Sequence, residues 1–490
     1  MTPTHVPPLC SKPRAGRTFW SFAANLFAAL LFVTAAERWL RAVERAHAML
    51  PYLDSWKTPA LAVNTALEQG PGLQILPTLF LGSIHNDSIK FVPVLLEYII
   101  SLPAGYWTPE SSIWLGALGW VTVLGLAIGL CCGLVRHPLA RLTIVALGCL
   151  IGFSPSFRFL VPFGIHRVVP LASCLGSAAL LSRPVLVWRS LLAGLLLALG
   201  ATFSFANGFL AFAVIWVALL LRWRSPGRGD PIRLRSMALA AALFTAISGI
   251  LYGLSLDFYH QKVLAEQRQL DFQPAKLLAS FMSWVSSPLE HITGNAQEIF
   301  SHLGPDKWAI QIIAVCLGLL AATGFLISAR QSRRHRPGDQ LFLTSLVGGL
   351  FLPITLLLAR YRNEGFHDER YLCETSLLAL LIATILFSTV ENHAKGMGPM
   401  GLPLIAAVLM FGLIATVPLT YTWGYFKAMH QNLPAKVKWV EHCIITNEQA
   451  DSDLWNLCNL EEIAPVGGYD SQETFVLLQQ KGYLLKLGNL

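Results

Sequence analysis

The chain has 490 residues, of which 54% are hydrophobic and 13% charged, and its 36 Lys and Arg against 28 Asp and Glu leave a net charge of +8. Soluble domains carry about 25% charged residues, so this much apolar sequence does not fit one water-soluble core. The basic surplus sits in short turns between apolar runs, not in one basic face or tail, which sets nucleic acid aside as a partner.

A membrane span needs about 20 apolar residues to cross about 30 Å of hydrocarbon. Eleven runs approach that length, near 19–36, 112–135, 142–157, 164–182, 188–206, 208–223, 236–257, 307–329, 339–359, 371–390 and 400–422. The expected fold class is therefore all-α, a polytopic transmembrane helical bundle with surface helices and a small C-terminal tail. The first run follows Lys12, Arg14 and Arg17 and could be read as a signal peptide ending near Thr34-Ala35-Ala36; a retained first span is preferred. Arg38, Arg41 and Arg45 oppose that orientation, but the remaining loops outvote them.

Arginine collects at Arg136 and Arg141, at Arg222, Arg224, Arg228, Arg233 and Arg235, and at Arg330, Arg333, Arg334 and Arg336. Of the acids only Asp230, Asp339 and Glu391 share that side. Lys and Arg near span ends resist translocation, so these turns are expected in the cytoplasm. The N-terminus then starts inside and the odd span count sends the C-terminus outside. Three segments fall on the outer side, 37–111, 258–306 and 360–370, and loops this long usually carry function or their own structure.

Within the first of these, 37–50 places Leu40, Val43, His47 and Leu50 on one helical stripe and Glu37, Arg41 and Arg45 on another, the pattern of a helix lying on a membrane surface. A second piece, 91–102, is too short to cross and carries Glu97 in an apolar run. In the second segment, 277–285 reads as a helix dipping toward the interface. The tail, 423–490, holds Cys443 and Cys458, which an oxidising compartment would allow to pair. Cys131, Cys132, Cys149, Cys174, Cys316 and Cys373 lie in or beside apolar runs, where a thiol behaves as a small hydrophobe, and show no metal-ligand spacing.

Asp54 stands between two surface helices beside Trp56 and Lys57. A carboxylate there could take a proton from an acceptor hydroxyl, with partial burial raising its pKa; a helix-capping Asp ahead of Trp56 is the competing reading. His85, Asn86 and Asp87 form a polar knot beside Lys90 that could orient a sugar or hold a phosphate. The alternative is an Asx turn with Asp87 capping the 91–102 helix. Arg158, His166 and Arg167 lie near outer span ends, as do Arg360, Arg362 and Arg370 around Tyr361 and Tyr371. Outer arginines need a counter-charge, which a lipid phosphate would supply by bidentate bonding; ion pairing with Glu364, Asp368 or Glu369, or snorkelling to headgroups, is the alternative. Ser204, Asn207 and Gly208 interrupt the apolar stretch as a tight outer turn. None of the spans carries a paired Asp or Glu at its midpoint, the mark of an ion-coupled pathway.

In this order the motifs resemble the GT-C superfamily of integral-membrane glycosyltransferases, and more closely its bacterial multi-pass members that use polyprenyl-phosphate sugar donors. Leu53-Asp54-Ser55-Trp56 is similar to the early acidic motif, His85-Asn86-Asp87 to the second, Ser204-Phe205-Ala206-Asn207-Gly208 to the turn, and Glu369-Arg370-Tyr371 to the late motif. The sequence departs from the pattern at Asp87, Ser88 and Glu369, which stand for a Glu, a His and a Ser. The resemblance covers about the first 390 residues and implies a GT-C-like module, taken as 1–422; the span count, not the resemblance, makes 423–490 a small periplasmic region. The resemblance also implies a bacterial inner-membrane enzyme in which Asp54 activates the acceptor and Asp87 is a second carboxylate. His85, Asn86, Lys90, Arg158, His166, Arg167, Arg362, Arg370 and Tyr371 would bind substrate. The expected partners are a polyprenyl-phosphate-linked sugar, a glycan, lipid or protein acceptor, and membrane lipids. No cofactor is expected, although two acids could recruit a divalent cation. The rival readings are a lipid-linked glycan flippase or other transporter, and a non-catalytic part of envelope polysaccharide assembly.

Overall fold

The computed structural model describes residues 15–46, 57–85, 88–135, 137–153, 164–183, 185–205, 208–223, 231–260 and isolated positions between 373 and 388. The expected spans 307–329, 339–359 and 400–422, the 258–306 segment beyond its first residues, the tail, and Cys443 and Cys458 lie outside the described residues. The described chain is helical: α1 (Ala15–Ala46), α2 (Ala62–Glu68), α3 (Ile75–Gly82), α4 (Phe91–Ser101), α5 (Pro109–Leu134), α6 (Pro138–Gly152), α7 (Ile165–Leu181), α8 (Trp188–Thr202), α9 (Phe209–Trp223) and α10 (Pro231–His260). Between α3 and α4 a two-residue pair of strands, β1 (Ile84–His85) and β2 (Ser88–Ile89), forms an antiparallel hairpin.

Local chemistry sets the helix starts. Thr108 caps α5 by accepting the Ser111 N–H at 3.1 Å, and Pro109 and Glu110 follow in the first turn, where a missing N–H is harmless and a negative charge meets the positive helix end. Prolines also open α6 at Pro138 and α10 at Pro231. Nothing comparable stops α1, because no Gly or Pro occurs between Arg17 and Leu50. Residues 37–46 of the surface helix expected at 37–50 are therefore not a separate element but the last part of a 32-residue helix, and His47 and Leu50 lie outside the described residues. The two faces of that last part are sorted as the sequence predicts. Val43 is buried and Leu40 half-buried, while Glu37 and Arg41 are exposed and form an ion pair.

Among the described residues two helices, Pro109–Leu134 and Ile232–Ser255, are long and apolar enough to cross a membrane, and Pro138–Gly152, Ile165–Leu181, Trp188–Thr202 and Phe209–Trp223 are shorter apolar helices. The outer faces are apolar too. On α10, Leu239, Leu243, Ile247, Ile250 and Leu254 are each 52–64% exposed and recur at helical spacing, a stripe that suits lipid contact better than water. Described cysteines Cys131, Cys149, Cys174 and Cys373 are buried free thiols, as a small hydrophobe would be.

α7 packs against α5, α8 and α9, and α1 against α6. Consecutive helices from α5 to α9 alternate in direction, which gathers the starts of α5, α7 and α9 with the ends of α6 and α8. Trp120 Nε1, on α5, donates to the Gly152 carbonyl at the end of α6 at 2.8 Å. Gly116 of α5 meets the Gly164 backbone ahead of α7 so closely that a Cβ would sit 3.1 Å from the Gly164 Cα. At the opposite end Arg222 closes the bundle. Its Nε and Nη2 donate to the Leu181 carbonyl at 3.1 and 2.7 Å, and Nη2 also donates to the Arg183 carbonyl, neutralising carbonyls left bare where α7 stops.

Candidate functional site

The hairpin is the natural starting point, since it carries the His85-Asn86-Asp87 motif. Ile84 pairs with Ile89 and His85 with Ser88, so Asn86 and Asp87 form the connection. The Lys90 N–H donates to the Ser83 carbonyl at 3.0 Å and closes the hairpin. Ile84 and Ile89 are buried at its base, and the Ile89 N–H donates to the Tyr252 hydroxyl of α10 at 3.4 Å. Lys90 is buried and is the cap residue of α4, with no side-chain cap bond. That differs from the alternative in which Asp87 caps this helix, because the hairpin strand Ser88–Ile89 intervenes.

Aromatic rings tie the hairpin to the turn after α8. Phe80 lies 5.6 Å from Phe91 and 6.5 Å from Phe203, and Tyr252 lies 6.3 Å from Phe203 and 5.5 Å from Phe209, centroid to centroid. The Val92 N–H donates to the Phe203 carbonyl at 3.0 Å, so one of the bare N–H groups at the start of α4 is satisfied by the turn itself. That turn holds the Ser204 motif. Ser204 Oγ donates to the Gly200 carbonyl at 2.6 Å, and the Gly208 N–H to the Phe205 carbonyl at 2.8 Å. Gly208 is required here, because a Cβ would collide with the Ala201 carbonyl.

Phe205 points the turn toward the start of α7. The Arg167 guanidinium carbon stands 4.1 Å from the centre of the Phe205 ring, and the His166 ring is 5.0 Å from it. Both His166 and Arg167 are buried. A guanidinium over an aromatic face engages by its flat side, and a helix start adds positive potential. This arrangement suits an anion.

The structure thus brings together the frames of three sequence motifs at one end of the bundle: the hairpin with Lys90, the Ser204 turn, and His166 with Arg167. Asp54, Asn86, Asp87, Arg158, Arg362, Arg370 and Tyr371 lie outside the described residues, and of His85 only the strand backbone is described. Among the described residues no group of three His, Cys, Asp or Glu side chains could hold a metal ion. Sequence reasoning named Phe205 only as part of the turn motif and missed Tyr252; both build the site without carrying charge. It noted Glu97 without a role. That carboxyl is fully buried, accepting from Trp107 Nε1 at 3.0 Å and Ser112 Oγ at 2.6 Å.

No protein-family model matches the chain, and no curated protein matches it by sequence. Among solved structures it is similar to the archaeal oligosaccharyltransferase AglB from Archaeoglobus fulgidus in complex with an inhibitory peptide and a dolichol-phosphate, with a TM-score of 0.46 and 13% identity over 93% of this chain. It is also similar to the oligosaccharyltransferase of the same organism in the apo form, at a TM-score of 0.41 and 14% identity over 86% of this chain. The complex of that enzyme with Zn and sulfate matches at a TM-score of 0.41 and 14% identity over 90% of this chain. The chain spans 58–61% of the length of these structures.

Proposed function

We propose that the chain is a membrane glycosyltransferase that moves a sugar from a polyprenyl-phosphate carrier to a glycan, lipid or protein acceptor on the periplasmic face of a bacterial inner membrane. The observation that carries this reading is the convergence just described. Motifs 85–90, 166–167 and 204–208 are far apart in sequence, yet α4 bonds to the Phe203 carbonyl and Arg167 stacks on Phe205. A cationic, aromatic-lined helix end is what a lipid-linked phosphate needs.

In the reaction, Asp54 takes the proton of the acceptor hydroxyl as its oxygen attacks the anomeric carbon. The bond from that carbon to the phosphate oxygen breaks, and the polyprenyl phosphate departs with the electron pair. Arg167, with Arg158, Arg362 and Arg370, stabilises the charge growing on the phosphate. Phosphate leaves readily, so no acid is needed on that side. Asp87, with His85, Asn86 and Lys90, orients the donor or acceptor. The polar side chains inside the described spans support an enzyme over a transporter: Thr143, Ser177 and Thr202 donate to the carbonyls of Leu139, Gly194 and Ala198 at 2.9, 3.2 and 3.0 Å. Their donors serve helix backbone, where a transport path would keep polar groups for cargo.

The test is transfer by purified protein from a panel of radiolabelled polyprenyl-phosphate sugars. Asp54→Asn should lower turnover by roughly 100-fold or more, the range for loss of a general base, and Asp87→Asn by a smaller factor. Equal turnover in the three proteins would remove both carboxylates from the mechanism.

A further inference from the structure

Glu97 differs from the other acids whose side chains are described: Glu37, Glu44, Glu68 and Glu110 are exposed, and Glu97 is fully buried. A buried carboxyl is costly unless it is hydrogen-bonded. Its two oxygens are divided between Trp107 Nε1 at 3.0 Å and Ser112 Oγ at 2.6 Å, and the Trp107 backbone N–H donates to Asn64 Oδ1 at 2.9 Å. Glu97 on α4 therefore joins Trp107 in the connection after α4 to Ser112 on α5, and Trp107 in turn reaches Asn64 on α2. On α4, Lys90, Val94, Glu97 and Ser101 are all buried and recur at i, i+4, i+7 and i+11, so Glu97 and Lys90 share a stripe two turns apart. At the start of the same helix the Val92 N–H holds the Phe203 carbonyl at 3.0 Å.

We propose that Glu97 is a positioning residue of the transfer site: by holding Trp107 and Ser112 it fixes α4, and α4 fixes Lys90 and the hairpin of the His85-Asn86-Asp87 motif against the Ser204 turn. Its functional meaning rests on the transferase reading, but the linkage itself does not.

Burial pushes the Glu97 carboxyl up to about 7 from an ordinary 4.5, against the lowering effect of the two hydrogen bonds. The titratable and charged groups on the elements packed against α4 are Glu68 on α2, Lys57 in the turn ahead of α2, Glu110, Cys131 and Cys132 on α5, and His166, Arg167 and Cys174 on α7. α3 carries none, and Tyr98 and Tyr106 lie on the segment itself. Among the described residues the hydrogen-bond partners of Glu97 are Trp107 and Ser112. Protonated, the carboxyl keeps both contacts, because the Ser112 hydroxyl can turn from donor to acceptor. Opening the node releases the carboxyl to ionise at its ordinary value. The native state thus binds the proton more tightly, and the node's stability is full below about 4.5, falls as pH rises to about 7, and levels off above that.

Hydrogen exchange on the full-length protein, corrected for intrinsic rates, reads this without substrate. Between pH 5 and pH 7.5 the wild type should lose protection over 84–112 by on the order of 100-fold, while Glu97→Gln, which keeps both contacts without a charge, should stay flat. Trp107→Phe, lacking the donor, should show reduced protection at both values. An identical pH response in wild type and Glu97→Gln, or full protection in Trp107→Phe, overturns the proposal. Where the transferase reading fails, no donor is turned over and the exchange result is unchanged. Where the linkage fails but transfer stands, wild type and Glu97→Gln share one pH–rate profile.

Discussion

The two ends of the helical bundle use arginine in opposite ways. At one end Arg222 is spent on structure: its guanidinium donates to the carbonyls of Leu181 and Arg183, where α7 stops. Arg141 does the same on a smaller scale, its Nε donating to the Val135 carbonyl at 2.8 Å. At the other end the Arg167 guanidinium carbon stands over the Phe205 ring, at the start of a helix instead of its end. A helix C-terminus offers carbonyls that a cation can satisfy, whereas a helix N-terminus offers N–H groups that repel it and attract anions. Arginine placed with the dipole stabilises the fold, and on the proposed reading arginine placed against it serves the lipid phosphate.

Two substitutions sharpen that contrast. Arg222→Ala removes three donated bonds and leaves buried carbonyls bare, so it should cost about 3 kcal/mol of stability, seen as a lower melting temperature in detergent. Transfer per folded molecule should hardly change. Arg167→Ala should do the reverse, with transfer falling roughly 30-fold, about 2 kcal/mol, as one stabiliser of the leaving phosphate is lost, and a smaller drop in melting temperature than Arg222→Ala. If Arg167→Ala unfolds the protein while Arg222→Ala spares it, the division of labour is the other way round.

Much of the helical frame was legible in the sequence, because long apolar runs between polar turns have one economical reading. The predicted run 112–135 became Pro109–Leu134; its first turn is the polar cap Thr108-Pro109-Glu110, which an apolar pattern does not register. The run 142–157 begins earlier, at Pro138, for the same reason. The short helix at 91–102 was read almost residue for residue, as Phe91–Ser101. Less legible was whatever depends on partners distant in sequence. The hairpin has strands of two residues, too short for alternation to show, and its support comes from Tyr252, 163 positions away. Glu97 was visible as an acid in an apolar run, but Trp107 and Ser112 lie 10 and 15 residues further on, around a turn. Phe205 carries no charge and no motif chemistry of its own, so its place under Arg167 and His166 follows only from the fold.

The contrast between the two ends is tested most directly by photo-crosslinking with a polyprenyl phosphate that carries a diazirine next to its phosphate, followed by mapping of the labelled peptides. Label is expected on peptides spanning 84–92, 164–170 and 203–208, and should be lost in Arg167→Ala. Label concentrated around Arg141 and Arg222 instead would place the lipid phosphate at the wrong end of the bundle and contradict the account.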